Sequence, residues 1–247
     1  MHFMNQQTDK AILVVSFGTS YEASRKATIE KIEQDIADAF GDHRIYRAWT
    51  SKMIISVLKK RDNYIVPTVK EAMEQMIADG ITEVIVQPTH VINGIENDLM
   101  KEDALAFKNR FERITFGDPL LTTQQDHVEI VNAICQEFSN LPADCALILM
   151  GHGTSHYAND VYAALDYRFK DLGFSNIHLA TVEGYPTLEN VTRMVKEQEA
   201  KKVILAPFMI VAGDHARNDM SGDDEDSWKN QFRAAGYDVE CRMKGLG

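Results

Sequence analysis

The chain has 247 residues, of which 45% are hydrophobic and 26% are charged. These fractions are ordinary for a globular protein and argue against disordered and fibrous classes, and the length suits one or two domains with a large core. Acidic side chains outnumber basic ones by 37 to 26, giving a net charge of -11. This balance argues against a protein that mainly neutralises nucleic-acid phosphates or an anionic membrane surface.

The predicted elements alternate between strands and helices along the whole chain. Runs rich in Val, Ile and Leu are too continuous to alternate in period two, which is typical of strands buried on both faces of a parallel sheet. In the first half the predicted order is strand 11–16, helix 23–40, strand 44–48, helix 68–79, strand 84–88, helix 97–111 and strand 114–116. In the second half it is helix 126–138, strand 146–150, helix 158–169, strand 177–180, helix 188–199, strand 203–207 and helix 224–235. This order predicts an α/β fold with right-handed crossovers.

The two halves also resemble each other. AILVVSFGTS at 11–20 matches ALILMGHGTS at 146–155, and VIVQPTHVINGIEND at 84–98 matches VILAPFMIVAGDHAR at 203–217. The two matches lie farther apart in the first half, which places extra residues near 51–68. We therefore expect two similar Rossmann-like lobes, doubly wound around parallel sheets and related by internal duplication, over residues 1–122 and 123–247.

Three ligand-type side chains follow successive strands of the second lobe. They are His152 in GHGTS, Glu183 in ATVEGYP and His215 in AGDHARND. Open parallel sheets bind ligands beyond the carboxyl ends of their strands, so these side chains are expected to meet. Two imidazoles and a carboxylate predict a divalent-metal site with open coordination positions.

The first lobe differs at the matching places. It has Phe17 opposite His152, Glu96 opposite His215, and Trp49 roughly where the second lobe has Glu183. The metal site is therefore predicted in the second lobe.

Other motifs give weaker signals. The sequence contains no GxSxG, GxxxxGK[ST], GxGxxG or HExxH pattern, which are the signatures of several common enzyme sites. The acidic run at 221–228 lacks the ligand spacing of a calcium loop and is interpreted as a helix N-terminus capped by Ser221 or a following Asp. His156 is interpreted as a residue behind or at the rim of the site.

The longer motifs resemble one known family. LVVSFGTS, RAWTSKMI, THVINGIE, MGHGTSH, VEGYP and MIVAGDHARNDMSGDDEDSWK are similar to the anaerobic sirohydrochlorin cobaltochelatase family of the CbiK type, from about Lys10 to the last residue. The resemblance implies a two-lobed class II chelatase, a lyase-type enzyme that inserts Co(II) into sirohydrochlorin or precorrin-2 in cobalamin biosynthesis. It also places the family's metal-site residues on His152, Glu183 and His215, as catalytic and metal-binding residues.

The substrate contacts are predicted less sharply. Candidates at strand ends are Ser16, Gly18, His90 and Gly153. At the two glycines the backbone can approach a flat ligand closely. For His90, a ligand, a proton shuttle and a structural histidine all remain open. Candidates for the substrate's carboxylates are Arg47 and Arg217.

The expected partners are a tetrapyrrole and a divalent metal, with no organic cofactor, no nucleic acid and no membrane. Mixed nitrogen and oxygen ligands do not separate Co(II) from Fe(II), Ni(II) or Zn(II), so an iron or nickel chelatase is the nearest alternative. A non-catalytic tetrapyrrole or metal-binding protein and a zinc hydrolase are the others. A homo-oligomer is left open, and family members usually continue beyond the position of Gly247.

A cytoplasmic location is expected. The longest apolar stretch, residues 203–212, is far shorter than the roughly 20 residues that span a bilayer. The segment Met1–Lys10 is polar and lacks the apolar part of a signal peptide. The three cysteines form no CxxC pair, and their odd number is typical of a reducing compartment.

Overall fold

The computed structural model describes residues 8–247. Most of the polar segment Met1–Lys10, which was used to predict the location, therefore lies outside the described residues. The chain divides into two compact units, the first ending at Pro119 and the second spanning Leu120–Gly247. The division falls close to the lobe boundary expected between residues 122 and 123.

The first unit contains a four-stranded parallel sheet in the order β2-β1-β3-β4. Its strands are β1 (Lys10–Ser16), β2 (Arg44–Trp49), β3 (Glu83–Pro88) and β4 (Arg113–Phe116). Its helices are α1 (Glu22–Ala27), α2 (Ile29–Ala39), α3 (Lys52–Asp62), α4 (Val69–Ala78) and α5 (Ile95–Leu105), with a short 3-10 turn at Lys108–Arg110.

The second unit contains a parallel sheet of the same topology, in the order β6-β5-β7-β8. Its strands are β5 (Cys145–Gly151), β6 (Ile177–Thr181), β7 (Lys202–Pro207) and β8 (Asp238–Cys241). Its helices are α6 (Gln124–Glu137), α7 (Asp160–Asp171), α8 (Leu188–Glu197) and α9 (Trp228–Ala234), with a 3-10 turn at Tyr157–Asn159 and a π turn at Ala216–Met220.

Burial explains why the strands read as continuous apolar runs. All seven residues of β5 are buried, because helices cover both faces of a doubly wound sheet.

Capping fixes where helices begin. The side chains of Thr123 and Thr187 each accept a hydrogen bond from the backbone N–H three residues on, in capping boxes that start α6 and α8. The predicted α/β class with two parallel-sheet lobes is confirmed.

Equivalent backbone hydrogen bonds show where the first lobe carries its extra residues. Trp49 donates to the carbonyl of Pro67, and Thr181 donates in the same way to Pro186. In the first unit this closes a long excursion that contains α3, whereas in the second it closes a tight loop. The extra residues predicted near 51–68 therefore contain the helix α3. The sequence analysis assigned no helix or strand to this segment.

The predicted helix over 23–40 is wrong as a single helix. Thr28 separates α1 from α2, with φ -127° and ψ -76°, and its hydroxyl donates to the carbonyl of Ser24 at 2.7 Å. A threonine side chain that bonds the backbone in this way competes with the regular helical pattern.

The predicted start of the helix over 224–235 is also wrong. The cap is Ser227, which accepts from the backbone of Asn230, so the helix begins at Trp228. The hydroxyl of Ser221 donates instead to the carbonyl of Ala216 at 2.8 Å. The acidic residues 223–226 therefore lie in the segment before the helix. The strand β8 was absent from the prediction.

Candidate metal centre

Two of the three candidate ligands follow neighbouring strands. His152 comes directly after β5, and Glu183 lies two residues after β6. The strands are parallel with Gly151 opposite Thr181, so their carboxyl ends meet at one edge. The backbone N–H of Glu183 donates to the carbonyl of His152 at 2.8 Å, which fixes the two residues side by side.

The third candidate comes from the strand on the other side of β5. His215 follows β7 after a loop and immediately precedes the π turn Ala216–Met220. Its ring lies 4.7 Å from the ring of His152, measured between centroids, and at 88° to it. The fold therefore brings both imidazoles to the carboxyl edge of the sheet.

The three side chains form one cluster. His152, Glu183 and His215 each offer a ligand atom, and these atoms lie within 4.8 Å of one another. Ligands at roughly 2.1 Å from one ion lie at most about 4.2 Å apart, so small side-chain rotations would close the site. The side chains are 41%, 58% and 30% exposed, respectively, which leaves an ion accessible to a second ligand.

Hydrogen bonds set the orientation of both imidazoles. His152 Nδ1 donates to the carbonyl of Gly153 at 2.9 Å, and His215 Nδ1 donates to Asp219 Oδ2 at 2.7 Å. A carbonyl or carboxylate oxygen accepts hydrogen bonds, so Nδ1 is the donor in each ring and Nε2 is the nitrogen left for a metal ion. A neutral imidazole with its lone pair on Nε2 is a good ligand for a divalent transition metal.

The sequence analysis did not predict the role of Asp219 as the hydrogen-bond partner of His215. A carboxylate behind a metal-binding histidine is a common arrangement, because it orients the ring and increases its basicity. The available signal was the spacing of four residues between His215 and Asp219, which places both side chains on one face of a helical turn.

The glycines of the GHG motif are required by close packing. Gly153 has φ +80°, and a Cβ there would lie 2.6 Å from the backbone nitrogen of Gly184. A Cβ at Gly151 would lie 2.7 Å from the ring of Tyr162. Both positions thus need glycine for the fold of the site itself, in addition to any role in approaching a flat ligand.

The backbone also corrects the match between the two lobes. Ser51 donates to the carbonyl of Phe17 at 3.2 Å, as Glu183 donates to that of His152. The counterpart of Glu183 is therefore Ser51 and not Trp49. Among residues 8–247, the cluster of the second unit is the one group of His, Cys, Asp and Glu side chains arranged to hold a metal ion.

A family model described as cobalt chelatase (CbiK) matches residues 10–247. The chain belongs to the CbiK cobalt chelatase family. The resemblance seen in the sequence is thereby confirmed, and the family is one of metal chelatases.

Named relatives of this CbiK-family chain cover most of its length. The sirohydrochlorin cobaltochelatase of Salmonella typhimurium is 38% identical over 238 residues, covering 96% of this chain and 90% of that protein. The sirohydrochlorin cobaltochelatase CbiKC of Nitratidesulfovibrio vulgaris is 30% identical over 239 residues, covering 93% and 81%, respectively.

Solved structures share the fold of this CbiK-family chain. SirB from Bacillus subtilis with Fe3+ superimposes with a TM-score of 0.64 at 13% identity, covering 96% of this chain and 88% of that one. The sirohydrochlorin chelatase SirB from Bacillus subtilis subspecies spizizenii, in complex with cobalt, gives 0.59 at 14% identity, with 95% and 87% covered. Within the described part of the chain, none of the helices has both the length and the apolar character needed to cross a membrane.

The predicted substrate contacts of the first unit have varied surroundings. Ser16 Oγ accepts from the hydroxyl of Thr89 at 2.9 Å. Gly18 has φ +103° and lies against the ring of Trp49, where a Cβ would be 2.5 Å from the nearest ring carbon. Ser16, the last residue of β1, is therefore held by a hydrogen bond, and Gly18 is held by its contact with the last residue of β2.

His90 has an unusual environment for a histidine. Both ring nitrogens are buried and neither has a hydrogen-bond partner among the described residues. Burial lowers the pKa of His90 to about 4, so the ring is neutral near pH 7. The roles of ligand, proton shuttle and structural histidine stay predictions for His90.

The two predicted arginines lie in different settings. Arg47 is bound by the carboxylate of Glu33 and by the hydroxyl of Tyr64, and the Glu33 hydrogen bond raises the pKa of Arg47. Its charge is thus already balanced within the first unit. Arg217 lies in the π turn, two residues after His215. A substrate contact stays a prediction for both.

His156, which the sequence predicts to lie behind or at the rim of the site, makes contacts with residues close to it in the chain. Its Nδ1 accepts from the backbone of Ala158 at 3.2 Å, and its ring stacks on that of Tyr157 at 4.0 Å. The grouping that satisfies metal-ligand geometry contains His152, Glu183 and His215 and does not include His156.

Proposed function

We propose that this protein is a sirohydrochlorin cobaltochelatase, which inserts Co(II) into the tetrapyrrole in cobalamin biosynthesis. The observation that carries the proposal is the His152, Glu183 and His215 cluster, with its ligand atoms within 4.8 Å, in a member of the cobalt chelatase family. The named relatives at 38% and 30% identity support the same substrate. The metal-binding role belongs to the second lobe, which we propose to span residues 123–247.

In this proposal the metal ion is a substrate held for transfer. Nε2 of His152 and of His215 and one carboxylate oxygen of Glu183 would bind the ion. Three protein ligands leave coordination positions at which water can be exchanged for pyrrole nitrogens. Because the site lies at the exposed edge of the sheet, a flat ring can approach the ion from outside the protein.

Metal insertion also has to remove two protons from the ring, one from each pyrrole N–H that the metal replaces. Glu183 is the most exposed of the three side chains, at 58%. As the ion moves to the ring, the Glu183 carboxylate would be released and could accept one of these protons, and the second would leave to solvent water. Binding energy used to bend the ring would expose the nitrogen lone pairs and lower the barrier further.

The metal preference remains part of the proposal. Two nitrogens and one oxygen also suit Fe(II), Ni(II) and Zn(II), whose affinities follow the Irving-Williams order. Cobalt is favoured by the family to which the chain belongs. The contacts predicted for Ser16, Gly18, His90, Arg47, Gly153 and Arg217 and a cytoplasmic location stay predictions that rest on the sequence.

The proposal is tested by mixing purified protein, sirohydrochlorin and Co(II) without oxygen and following the visible spectrum. We expect formation of cobalt-sirohydrochlorin faster than in a protein-free control. A rate equal to that control would contradict enzyme activity. Tight stoichiometric binding without turnover would identify a carrier instead, and ester or amide cleavage with bound zinc would identify a hydrolase. Parallel assays with Fe(II) and Ni(II) rank the metals.

A further inference from the structure

Two short loops carry two of the three candidate ligands. We call residues 151–154 the His loop, which holds His152, and residues 182–186 the Glu loop, which holds Glu183. We propose that Asn159 is a positioning residue that fastens these loops together and so holds Glu183 in place for metal binding. The inference rests on the proposed function of this site.

The side-chain amide of Asn159 bonds to both loops. Its Nδ2 donates to the carbonyl of Tyr185 in the Glu loop at 2.7 Å. Its Oδ1 accepts from the backbone N–H of Thr154 in the His loop at 3.0 Å. A carbonyl can only accept and an N–H can only donate, so the partners determine the orientation of the amide. Both bonds are shielded from water, because Asn159 is 7% exposed.

The side chain of Asn159 does not cap the helix that it precedes. Asn159 is the N-cap residue of α7, a place where asparagine usually accepts a hydrogen bond from the first turn of the helix. Here it makes no such bond, and its φ of -58° and ψ of -27° are helical. The amide is instead used entirely between the two loops.

Close packing makes the connection rigid. A Cβ on Gly184 would lie 2.3 Å from Asn159 Oδ1, so the amide rests directly on the backbone next to Glu183. A Cβ on Gly153 would lie 2.6 Å from the nitrogen of Gly184. The loops are thus in van der Waals contact, and a displaced amide would move the backbone of the Glu loop.

Glu183 depends on this support more than the histidines do. Its side chain is 58% exposed, whereas the His215 ring is held by Asp219 and the His152 ring by the carbonyl of Gly153. The carboxylate can therefore be held near the imidazoles mainly through the backbone of its loop. Groups that position a metal ligand typically change metal affinity by 10- to 100-fold when removed.

The test measures Co(II) affinity by visible titration, with no tetrapyrrole present. We expect Asn159→Ala to weaken Co(II) binding by roughly 10-fold or more and to change the intensity of the Co(II) d–d bands as the carboxylate ligand is lost. Asn159→Asp should do the same, because an oxygen then faces the carbonyl of Tyr185. Gly184→Ala should mimic both by pushing the amide away.

A double variant separates a positioning role of Asn159 from a general loss of stability. In a Glu183→Gln chain, Asn159→Ala should change Co(II) affinity by less than about twofold, because residues that act through one another are non-additive. Asn176→Ala is the matched control. Its amide also bonds to two backbone groups, the carbonyls of Pro142 and Cys145, but at the amino ends of strands of the same sheet. We expect it to lower stability and leave Co(II) affinity unchanged.

Two results would overturn the inference: equal Co(II) affinity in wild type and Asn159→Ala, or the same loss in both backgrounds. Urea unfolding checks that each variant is folded. If Asn159→Ala does not fold, the isosteric Asn159→Asp decides by the same criteria. A wild-type protein that binds Co(II) but never inserts it contradicts the proposed function alone, so the two failures are distinguishable.

Discussion

The backbone N–H of Glu183 donates a hydrogen bond of 2.8 Å to the carbonyl oxygen of His152. The equivalent bond in the first unit joins Ser51 to Phe17 at 3.2 Å. The bond therefore belongs to the repeated fold, and it brings two side chains together at the carboxyl edge of each sheet. A candidate metal site arises in the second unit because those side chains are an imidazole and a carboxylate instead of an aromatic ring and a hydroxyl.

Removing either imidazole should remove most of the activity. His152→Ala or His215→Ala leaves two candidate ligands in place of three, so Co(II) should bind weakly and the rate of metal insertion should fall by at least roughly 100-fold, about 2.7 kcal/mol. The measurement is the anaerobic insertion assay followed by visible spectroscopy.

His43→Ala provides the control for the histidine variants. His43 lies in the first unit, where its Nδ1 bonds to Asp42, and its loss should leave the insertion rate unchanged. Three variants with the same activity would show that the metal site is elsewhere, even if the protein is a chelatase.

The carboxylate behind His215 should tune metal affinity. In Asp219→Asn the charge that accepts from His215 Nδ1 is lost, so the ring is a poorer ligand and is less firmly oriented. We expect Co(II) affinity to fall by 10- to 100-fold, as measured by equilibrium titration. Asp223→Asn is matched to it, because Asp223 is an exposed partner of Lys229. Unchanged affinity in Asp219→Asn would contradict the role of this hydrogen bond.

Two glycines of the second unit separate backbone strain from steric conflict. Gly153 and Gly173 both have positive φ, of +80° and +87°, but an added Cβ meets the backbone of Gly184 at Gly153 and nothing within 4 Å at Gly173. Gly173→Ala should therefore reduce the free energy of unfolding by only about 1 kcal/mol. Gly153→Ala should cost substantially more and also weaken Co(II) binding.

Urea denaturation of the two glycine variants measures this difference. Equal losses of stability would show that the two ligand loops can move apart without cost. That result would contradict the close packing between the loops.

Buried histidines should make the protein less stable in mild acid. His178 is 1% exposed; its Nε2 donates to Gln198 Oε1 at 2.9 Å, and its Nδ1 accepts from Lys170 Nζ at 3.3 Å. Burial, followed by the charge of Lys170, lowers the pKa of His178. Burial also lowers the pKa of His90 to about 4.

The sign of the effect follows from proton binding. Below the ordinary histidine pKa of about 6.5, the unfolded chain binds protons that the folded protein does not. The free energy of unfolding should then fall by up to about 1.4 kcal/mol per pH unit for each such histidine, until its lower folded pKa is reached. Carboxylates with lowered pKa values, such as Asp79 and Asp126, reduce the free energy of unfolding only at lower pH, where they become protonated.

Urea midpoints between pH 7.5 and 4.5 provide the measurement. His178→Gln should be less stable than wild type at pH 7.5, because the contact with Lys170 is altered, and its stability should fall less steeply on acidification. A wild-type stability that is constant or rises between pH 6.5 and 5 would contradict the pKa directions.

Much of the fold could be predicted because the strands carry their signal locally. The buried run of β5 and the repeated strand-turn segments indicated two parallel sheets before any contact was known. Local features that compete with this pattern were harder to see. Thr28 interrupts a helix through a bond to the Ser24 carbonyl, and α3 lies in an excursion without a counterpart in the other lobe.

The candidate ligands were predictable for the same reason: each follows a strand, and the parallel register then brings His152, Glu183 and His215 to one edge. Their supporting residues were not predictable in this way. Asn159 comes from a separate 3-10 turn and reaches two loops whose separation depends on the folded backbone. The backbone hydrogen bonds were also needed to show that Ser51, and not Trp49, is the counterpart of Glu183 in the first lobe.

The most direct test of metal transfer is a single-turnover experiment. The protein is loaded with one equivalent of Co(II), freed of unbound metal and mixed anaerobically with sirohydrochlorin in the presence of a weak chelator that traps released ions. We predict that the bound cobalt enters the tetrapyrrole, and that His152→Ala and His215→Ala preparations transfer almost none. Cobalt that remains on the protein, or that reaches the ring only after release into solution, would contradict the account.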